Sequence, residues 1–142
     1  MDAPKEILKE LYWSFYQVFS DKEKFEKELI EYNTRLLKPK PKLDRIIYPE
    51  NKIVIQFMVY QDSDDNESDY DEERQILLET NNISGFTISE LMFQINNKVV
   101  ENEEDNIDIS EQDAVFFEGL EYLTDDDPDY TQTKVYYMIL GS

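Results

Sequence analysis

Histidine and cysteine are both absent from this chain of 142 residues. Without histidine, the protein lacks the usual general base, the commonest metal ligand and the side chain that titrates near neutral pH. Without cysteine, neither a disulfide nor thiol chemistry is possible. The three glycines, Gly85, Gly119 and Gly141, form no glycine-rich phosphate loop. These absences argue against an enzyme, and we predict no catalytic residues and no cofactor.

Long apolar runs are missing as well, and we expect no secretory leader at the N-terminus. Charged residues interrupt the N-terminal stretch, and the apolar runs at 53–55 and 57–60 are far shorter than a membrane span. We therefore expect a cytoplasmic protein that does not enter a membrane. Aromatic residues make up 13% of the chain, more than a disordered acidic chain would carry. Length and composition together predict a single domain over residues 1–142.

Negative charge dominates the chain, with 33 acidic and 14 basic residues and a net charge of −19. Its distribution is uneven. Residues 1–52 carry 11 basic and 10 acidic residues, a net of +1, whereas residues 53–142 carry 3 basic and 23 acidic residues, a net of −20. Such a field repels nucleic acid and anionic membranes and attracts basic partners. Direct binding of DNA or RNA is therefore not expected.

Most of the acidic residues fall in three connecting stretches. We name these the first (62–73), second (101–113) and third (118–129) acidic segments, which contain 8, 7 and 6 acidic residues. Gathered at one end of a sheet, they would form a continuous anionic surface for a cationic partner, with tyrosines as apolar anchors. The predicted partner-binding residues are Asp62, Asp64, Asp65, Glu67, Asp69, Tyr70, Asp71, Glu103, Glu104, Asp105, Asp125, Asp126, Asp127 and Tyr130.

The N-terminal part of the chain has the pattern of two amphipathic helices. Residues 4–19 carry apolar side chains at helical spacing. These are Leu8, Leu11, Phe15, Val18 and Phe19. Ser20 and Glu23 match a capping box, which predicts a second helix from Asp21 that stops before Pro39.

From residue 43 onwards, the residue pattern changes from that of helices to that of strands. Residues 43–48 and 52–61 are rich in β-forming residues and are separated by Pro-Glu-Asn, which predicts a hairpin. The second of these runs is apolar on both faces, so we place it centrally in the sheet. Thr87 and Glu90 match another capping box and predict a helix over about 88–100. Further strands are predicted at 75–80, 114–123 and 134–140.

The predicted fold class is α+β. Two N-terminal helices are expected to pack on an antiparallel sheet of about four to five strands, with one inserted helix. In this arrangement all three acidic segments are connections between elements. The central assumption is that ordered loops hold the negative charge on one side of the molecule.

The first acidic segment also resembles a calcium loop. Asp62, Asp64, Asn66 and Glu73 stand at positions 1, 3, 5 and 12 of the EF-hand spacing. However, the turn position that calls for glycine is Glu67, and the preceding residues predict a strand instead of a helix. We predict no metal site, and a calcium-binding module remains an alternative.

Paired carboxylates offer a second alternative, a hydrolase. Glu118 and Glu121 lie within an aromatic run, and acid–base catalysis needs one carboxyl group in an apolar setting. Alternation along a strand would instead place both side chains in solvent. We adopt the second interpretation and predict no enzymatic activity.

Three stretches of the C-terminal half carry a family resemblance. These are GFTISELMFQINNKVV (85–100), FFEGLEYL (116–123) and VYYMILGS (135–142). They resemble small acidic immunity proteins of bacterial polymorphic-toxin systems. The resemblance implies a protein that binds a cognate toxin domain and blocks its active site, commonly with acidic residues facing a basic nuclease.

Charge and resemblance together predict an acidic binding protein that neutralises a basic protein partner, possibly a cognate toxin domain. The alternative of a nucleic-acid-mimic inhibitor of a DNA-binding protein stays open. It differs in that its carboxylates would be spaced along one face like phosphates. Repulsion between acidic surfaces favours a monomer, although the nearly neutral N-terminal part allows a weak dimer.

Overall fold

The computed structural model describes residues 4–9, 11–15, 17–36, 38–61, 70–101, 116–124 and 133–141. The helices are α1 (Lys22–Arg35) and α2 (Ile88–Glu101). The strands are β1 (Glu6–Ile7), β2 (Trp13–Ser14), β3 (Ile46–Tyr48), β4 (Lys52–Gln61), β5 (Tyr70–Glu79), β6 (Phe86–Thr87), β7 (Phe116–Thr124) and β8 (Val135–Gly141). Within these ranges, neither helix is long and apolar enough to cross a membrane. The protein is α+β, and strands predominate.

The main sheet has six strands and is mixed. Its order is β1-β7-β8-β4-β5, and β2 also pairs with β7. β4 pairs antiparallel with β5 but parallel with β8. β3 and β6 form a separate antiparallel pair. The prediction of a purely antiparallel sheet is therefore wrong, because β8 lies beside β4 in the same direction.

The predicted first helix is also wrong, and with it the arrangement of two N-terminal helices. Residues 4–19, which we call the N-terminal arm, contribute β1 and β2 to the sheet, where both pair with β7. Leu11, Trp13 and Phe15 are buried at every second position, which is the period of a strand. Val18, a member of the helical stripe, is instead 46% exposed. Both helices therefore lie within the chain, after the arm.

Two buried asparagines hold the arm against the helices. Asn33 of α1 accepts a hydrogen bond from the Tyr12 backbone N–H and donates one to the Tyr12 carbonyl, both at 2.9 Å. Asn96 of α2 accepts one from the Trp13 indole N–H and donates one to the Gln17 carbonyl, also at 2.9 Å. Both asparagines are fully buried. These bonds satisfy polar groups that would be costly to leave unpaired.

The second predicted helix is present as α1, and it begins one residue later than expected. Its N-cap is Asp21, not Ser20. The Asp21 carboxylate accepts a hydrogen bond of 2.9 Å from the Glu23 backbone N–H, one of the amides that a helix start leaves unpaired. Phe25 and Leu29, four residues apart on one face of α1, are fully buried.

The predicted hairpin between β3 and β4 does not form. β3 pairs with β6, the short strand that leads into α2, while β4 pairs along its whole length with β5. The carbonyls of Leu43 and Arg45 accept hydrogen bonds from the N–H groups of Ser89 and Ile88 at 2.9 and 3.0 Å. The chain before β4 therefore satisfies amides at the start of α2.

Two other elements agree with their prediction. β4 lies inside the sheet between β5 and β8, and Ile53, Val54 and Ile55 are all fully buried, as expected for a run that is apolar on both faces. The helix predicted at 88–100 is α2. At its start the Thr87 hydroxyl accepts a hydrogen bond of 3.1 Å from the Glu90 N–H.

Trp13 of the arm lies at the centre of the aromatic part of the core. Its ring centroid is 6.3 Å from that of Phe19, 5.2 Å from that of Phe25 and 5.6 Å from that of Tyr32. α1 contacts both α2 and β2, and α2 also contacts β5 and β6. The arm thus joins the helices to the sheet.

Candidate partner-binding surfaces

Most of the predicted partner-binding residues lie outside the described residues. They are Asp62, Asp64, Asp65, Glu67, Asp69, Glu103, Glu104, Asp105, Asp125, Asp126, Asp127 and Tyr130. The backbone of Tyr70 and Asp71 is described and forms the start of β5, so the first acidic segment ends within a strand. The strands that flank the acidic segments show where each segment attaches.

One end of the main sheet carries attachment points of two acidic segments. β4 ends at Gln61, directly before the first acidic segment, and pairs there with Tyr70. β7 begins at Phe116, after the second acidic segment, and pairs there with Gly141. Because β8 runs parallel to β4, Gly141 and Gln61 lie towards the same end of the sheet. We call this the Gln61 end.

The third acidic segment continues from the opposite end. Its first residues belong to β7, and that strand ends at Thr124, which pairs with Val135 at the start of β8. This pair lies at the far end of both strands from the Gln61 end. The expected gathering of all three segments at one end therefore does not hold for the strand ends that flank them.

The two candidate acid–base residues in β7 are both exposed. Glu118 and Glu121 lie in solvent, whereas Leu120 between them is fully buried. A bulge explains this spacing, because the pairing of β7 with β8 shifts between Phe117 and Gly119, and Gly119 has a φ of 131°. Neither glutamate lies in the buried apolar setting that a catalytic carboxylic acid needs.

β5 lies at an edge of the main sheet. In the described part of the chain it pairs with β4 and with no other strand. Its first half belongs to the first acidic segment and includes Asp71, Glu72 and Glu73. The free side of an edge strand offers backbone N–H and C=O groups to an added strand, and acidic residues on it favour a basic strand over an acidic one.

A groove of about 290 Å³ lies between α1 and the arm. Its lining residues are Trp13, Ser14, Glu28, Glu31, Tyr32 and Arg35. Those from α1 recur every three or four positions and so share one face of the helix. The volume is at the lower limit of the about 300–1,000 Å³ typical of ligand pockets, which suits a single side chain better than a cofactor.

The groove combines aromatic rings with charges of both signs. The rings of Trp13 and Tyr32 meet edge to face, and Arg35 Cζ lies 5.9 Å from the centre of the Tyr32 ring. Burial raises the pKa of the Tyr32 hydroxyl, and the nearby Arg35 partly opposes the shift. Tyr32 is therefore neutral at physiological pH. Glu31 is exposed and Glu28 is half-buried.

Sequence reasoning did not identify this groove, because it placed Trp13 in a helix. With the arm assigned to a helix, the place of Trp13 and Ser14 beside Glu28 and Glu31 of α1 was not predicted. The available signal was the helical repeat of Glu28, Glu31 and Arg35 beside the apolar stripe of α1.

Among the described side chains, no three acidic residues are grouped to hold a metal ion. Three of the calcium-loop residues, Asp62, Asp64 and Asn66, lie outside the described ranges. The fourth, Glu73, lies in β5 and pairs with Met58 of β4.

Comparisons with known proteins identify no relative of this chain. No family model, no curated protein and no solved structure matches it. The resemblance to immunity proteins stays a prediction from the sequence.

Proposed function

We propose that this protein binds and neutralises a basic protein partner and catalyses no reaction of its own. The proposed partner is a toxin domain that acts on nucleic acid, blocked in the cytoplasm as an immunity protein would block it. The observation that carries the proposal is the net charge of −20 after residue 52.

The acidic part of the chain has few basic groups to offset its carboxylates. Arg74, Lys98 and Lys134 are its only basic residues. Lys134 Nζ lies 2.5 Å from Glu50 Oε2, a carboxylate of the nearly neutral N-terminal part. An uncompensated negative field of this kind steers a cationic surface towards the protein and raises the association rate.

The Gln61 end supports a particular docking direction. Attachment points of the first and second acidic segments lie there, and β5 begins at the same end with Tyr70 and Asp71. A basic partner that approaches this end meets the attachment points of two acidic segments, and the side of β5 that no other described strand pairs with. We propose that docking starts there.

Affinity capture tests the proposal. The immobilised protein should retain a basic partner from a lysate of its source at about 50 mM salt, and release more of it as salt rises to about 500 mM, because salt screens exposed charges. Asp62→Asn, Asp64→Asn and Asp65→Asn together should reduce capture.

A matched control removes the same charge elsewhere. Glu23→Gln, Glu26→Gln and Asp44→Asn together change the net charge equally but lie in the N-terminal part. Equal losses with both triple variants would show that only total charge matters. Retention of a partner that is not basic would contradict the proposal.

The two binding alternatives give different results. A nucleic-acid mimic would displace DNA from several unrelated basic proteins, whereas a dedicated inhibitor would act on one. A calcium module would release or absorb heat when titrated with Ca²⁺ at millimolar concentration. Either result would replace the present proposal.

A further inference from the structure

We propose that β5 receives an extended basic segment of the partner as an added strand at the edge of the main sheet. This inference rests on the proposed function and deepens it by naming the shape and the charge of the segment that docks. Strand addition draws its affinity from main-chain hydrogen bonds and its selectivity from side chains. Two features of β5 support it, the direction of its backbone groups and its charge.

β5 is a long and regular edge strand. It spans ten residues and pairs with β4 in one continuous register, without a bulge. It contains no proline and no glycine, the residues that commonly interrupt an edge. In the part of the chain that the structure describes, β4 is its only strand partner. An edge of this kind is a template for another strand.

The ladder with β4 determines which backbone groups of β5 point outward. The Thr80 N–H donates a hydrogen bond of 3.0 Å to the Asn51 carbonyl. Residues of an antiparallel strand alternate between those that bond to the neighbouring strand and those that point away from it. The even-numbered residues of β5 therefore bond to β4. The N–H and C=O groups of the odd-numbered residues, among them Gln75 and Leu77, point outward.

A side chain of α2 agrees with this direction and marks where the open edge ends. Gln94 Nε2 donates a hydrogen bond of 2.9 Å to the carbonyl of Glu79, an odd-numbered residue. Among the hydrogen bonds of the described residues, none satisfies the outward N–H and C=O groups of Gln75 and Leu77. Both residues are only half-buried. The open edge therefore runs from Leu77 towards the Gln61 end.

Negative charge is concentrated at the start of β5. Residues 71–74 contain three acidic residues and Arg74, a net charge of −2. The β4 residues opposite them, 57–60, are all uncharged. A strand added on the open side places its own residues beside this stretch, and opposite charges on neighbouring strands stabilise the pair. A basic segment is therefore favoured, whereas a second copy of β5 would bring further negative charge.

Charges elsewhere along this edge offset one another. At the far end of β5, Glu79 lies opposite Lys52 of β4. On α2, Glu90 and Lys98 are one acidic and one basic residue on the helical row that contains Gln94. The net charge of −2 at the start of β5 is thus what an added strand meets. That stretch lies at the Gln61 end, where docking is proposed to start.

A short peptide tests the site without the partner. The probe is the octapeptide Thr-Val-Thr-Val-Lys-Val-Lys-Val, acetylated and amidated at its ends, whose residues favour an extended strand. One control peptide has glutamate in place of lysine. The other keeps both lysines but carries a methyl group on every backbone nitrogen, which removes the hydrogen-bond donors and not the charge. Calorimetry should show binding of the lysine peptide and of neither control.

Amide hydrogen exchange locates the added strand. In the free protein, the N–H groups of Gln75 and Leu77 should exchange faster than those of Ile76 and Leu78, which donate to β4. Binding of the lysine peptide should slow exchange at Gln75 and Leu77 at least about tenfold. Exchange at Ile76 and Leu78 should change little.

A pair of variants separates the backbone donor from the side chain. Gln75→Pro removes the outward N–H and keeps the ladder with β4, since proline is tolerated at such positions of edge strands. It also removes the 2.8 Å hydrogen bond from Gln75 Nε2 to Gln56 Oε1. Gln75→Ala loses the same bond but keeps the N–H, and is the matched control. Peptide binding should weaken at least about tenfold in Gln75→Pro and less than about twofold in Gln75→Ala.

Three results would overturn the inference. They are equal binding of the glutamate and lysine peptides, binding that survives backbone methylation, and slow exchange at Gln75 and Leu77 in the free protein. These peptide and exchange measurements decide the matter even if Gln75→Pro does not fold. Salt-dependent capture of a basic protein without peptide binding would overturn the inference and leave the proposed function standing. Peptide binding without such capture would contradict the proposed function instead.

Discussion

The N-terminal arm and α1 are neighbours in the chain, and both carry apolar residues at helical spacing, yet only α1 is a helix. In α1 the residues between apolar positions are mostly Lys and Glu, which form helices readily. In the arm, Tyr12, Trp13 and Phe15 cluster, and aromatic residues favour strands. A helical stripe is thus decisive only where the intervening residues also favour a helix.

The arm satisfies two patterns at once, which is why its prediction failed. Leu8, Leu11 and Phe15 fit a helix, whereas Leu11, Trp13 and Phe15 fit a strand. Only the second pattern buries Trp13, which is 1% exposed in the structure. Burial of the largest side chain in the arm, with its indole N–H bonded to Asn96, outweighs the helical stripe.

Removal of Trp13 should have the largest effect on the stability of the extended arm. Trp13→Ala should lower the free energy of unfolding by about 3–5 kcal/mol, because it opens a cavity between α1, α2 and the sheet. Val18→Ala is the control in the same arm and should cost far less, since Val18 is 46% exposed. Chemical denaturation measures both. A larger loss from Val18→Ala would support the helical arm.

Removal of the hydrogen bonds that hold the arm should lower the free energy of unfolding by a smaller amount. Asn96→Ala removes the hydrogen bonds that this side chain makes with the Trp13 indole N–H and the Gln17 carbonyl, and should cost about 1–3 kcal/mol. Gln94→Ala, on the same helix, removes a hydrogen bond to the exposed Glu79 carbonyl and should cost less. Equal losses on denaturation would mean that the buried bonds contribute no more than the exposed one.

The start of α1 allows a finer test. Asp21→Ala should lower stability by about 1 kcal/mol, because it removes the acceptor of the Glu23 N–H. Ser20→Ala, which alters the residue that the sequence predicts as the cap, should have little effect. A larger loss of stability from Ser20→Ala than from Asp21→Ala, measured by thermal unfolding, would support the predicted capping box.

The smallest expected effect is on stability at alkaline pH. Burial raises the pKa of Tyr32 in the folded protein above its usual value near 10. The resulting stability is complete below the unfolded pKa and is lost as the pH rises through the folded pKa. Tyr32→Phe should therefore show a smaller decline in thermal midpoint above about pH 10. An identical decline would exclude a contribution from Tyr32.

Local sequence signals were sufficient for some elements. The capping residues Thr87 and Glu90 located α2, and a run apolar on both faces placed β4 inside the sheet. The strand with which each strand pairs could not be predicted from such local signals. β3 joins β6 and β8 joins β4 across long stretches of chain, and no residue pattern in one strand specifies a distant neighbour.

The sequence predicted the charge of the candidate surfaces but not their position in the fold. Counting Asp and Glu identifies three acidic segments, but their attachment points depend on strand directions that the sequence does not reveal. The groove depends on Trp13 lying beside Glu28 and Glu31, a contact between an extended arm and a helix. It therefore required the correct structure of the arm.

The most direct test of the central claim is the association rate constant between this protein and its captured partner, measured by stopped flow at increasing salt. If negative charge after residue 52 steers docking, the rate constant should fall at least about tenfold between about 50 and 500 mM salt. A rate constant that stays the same over this range would contradict electrostatic capture of a basic partner.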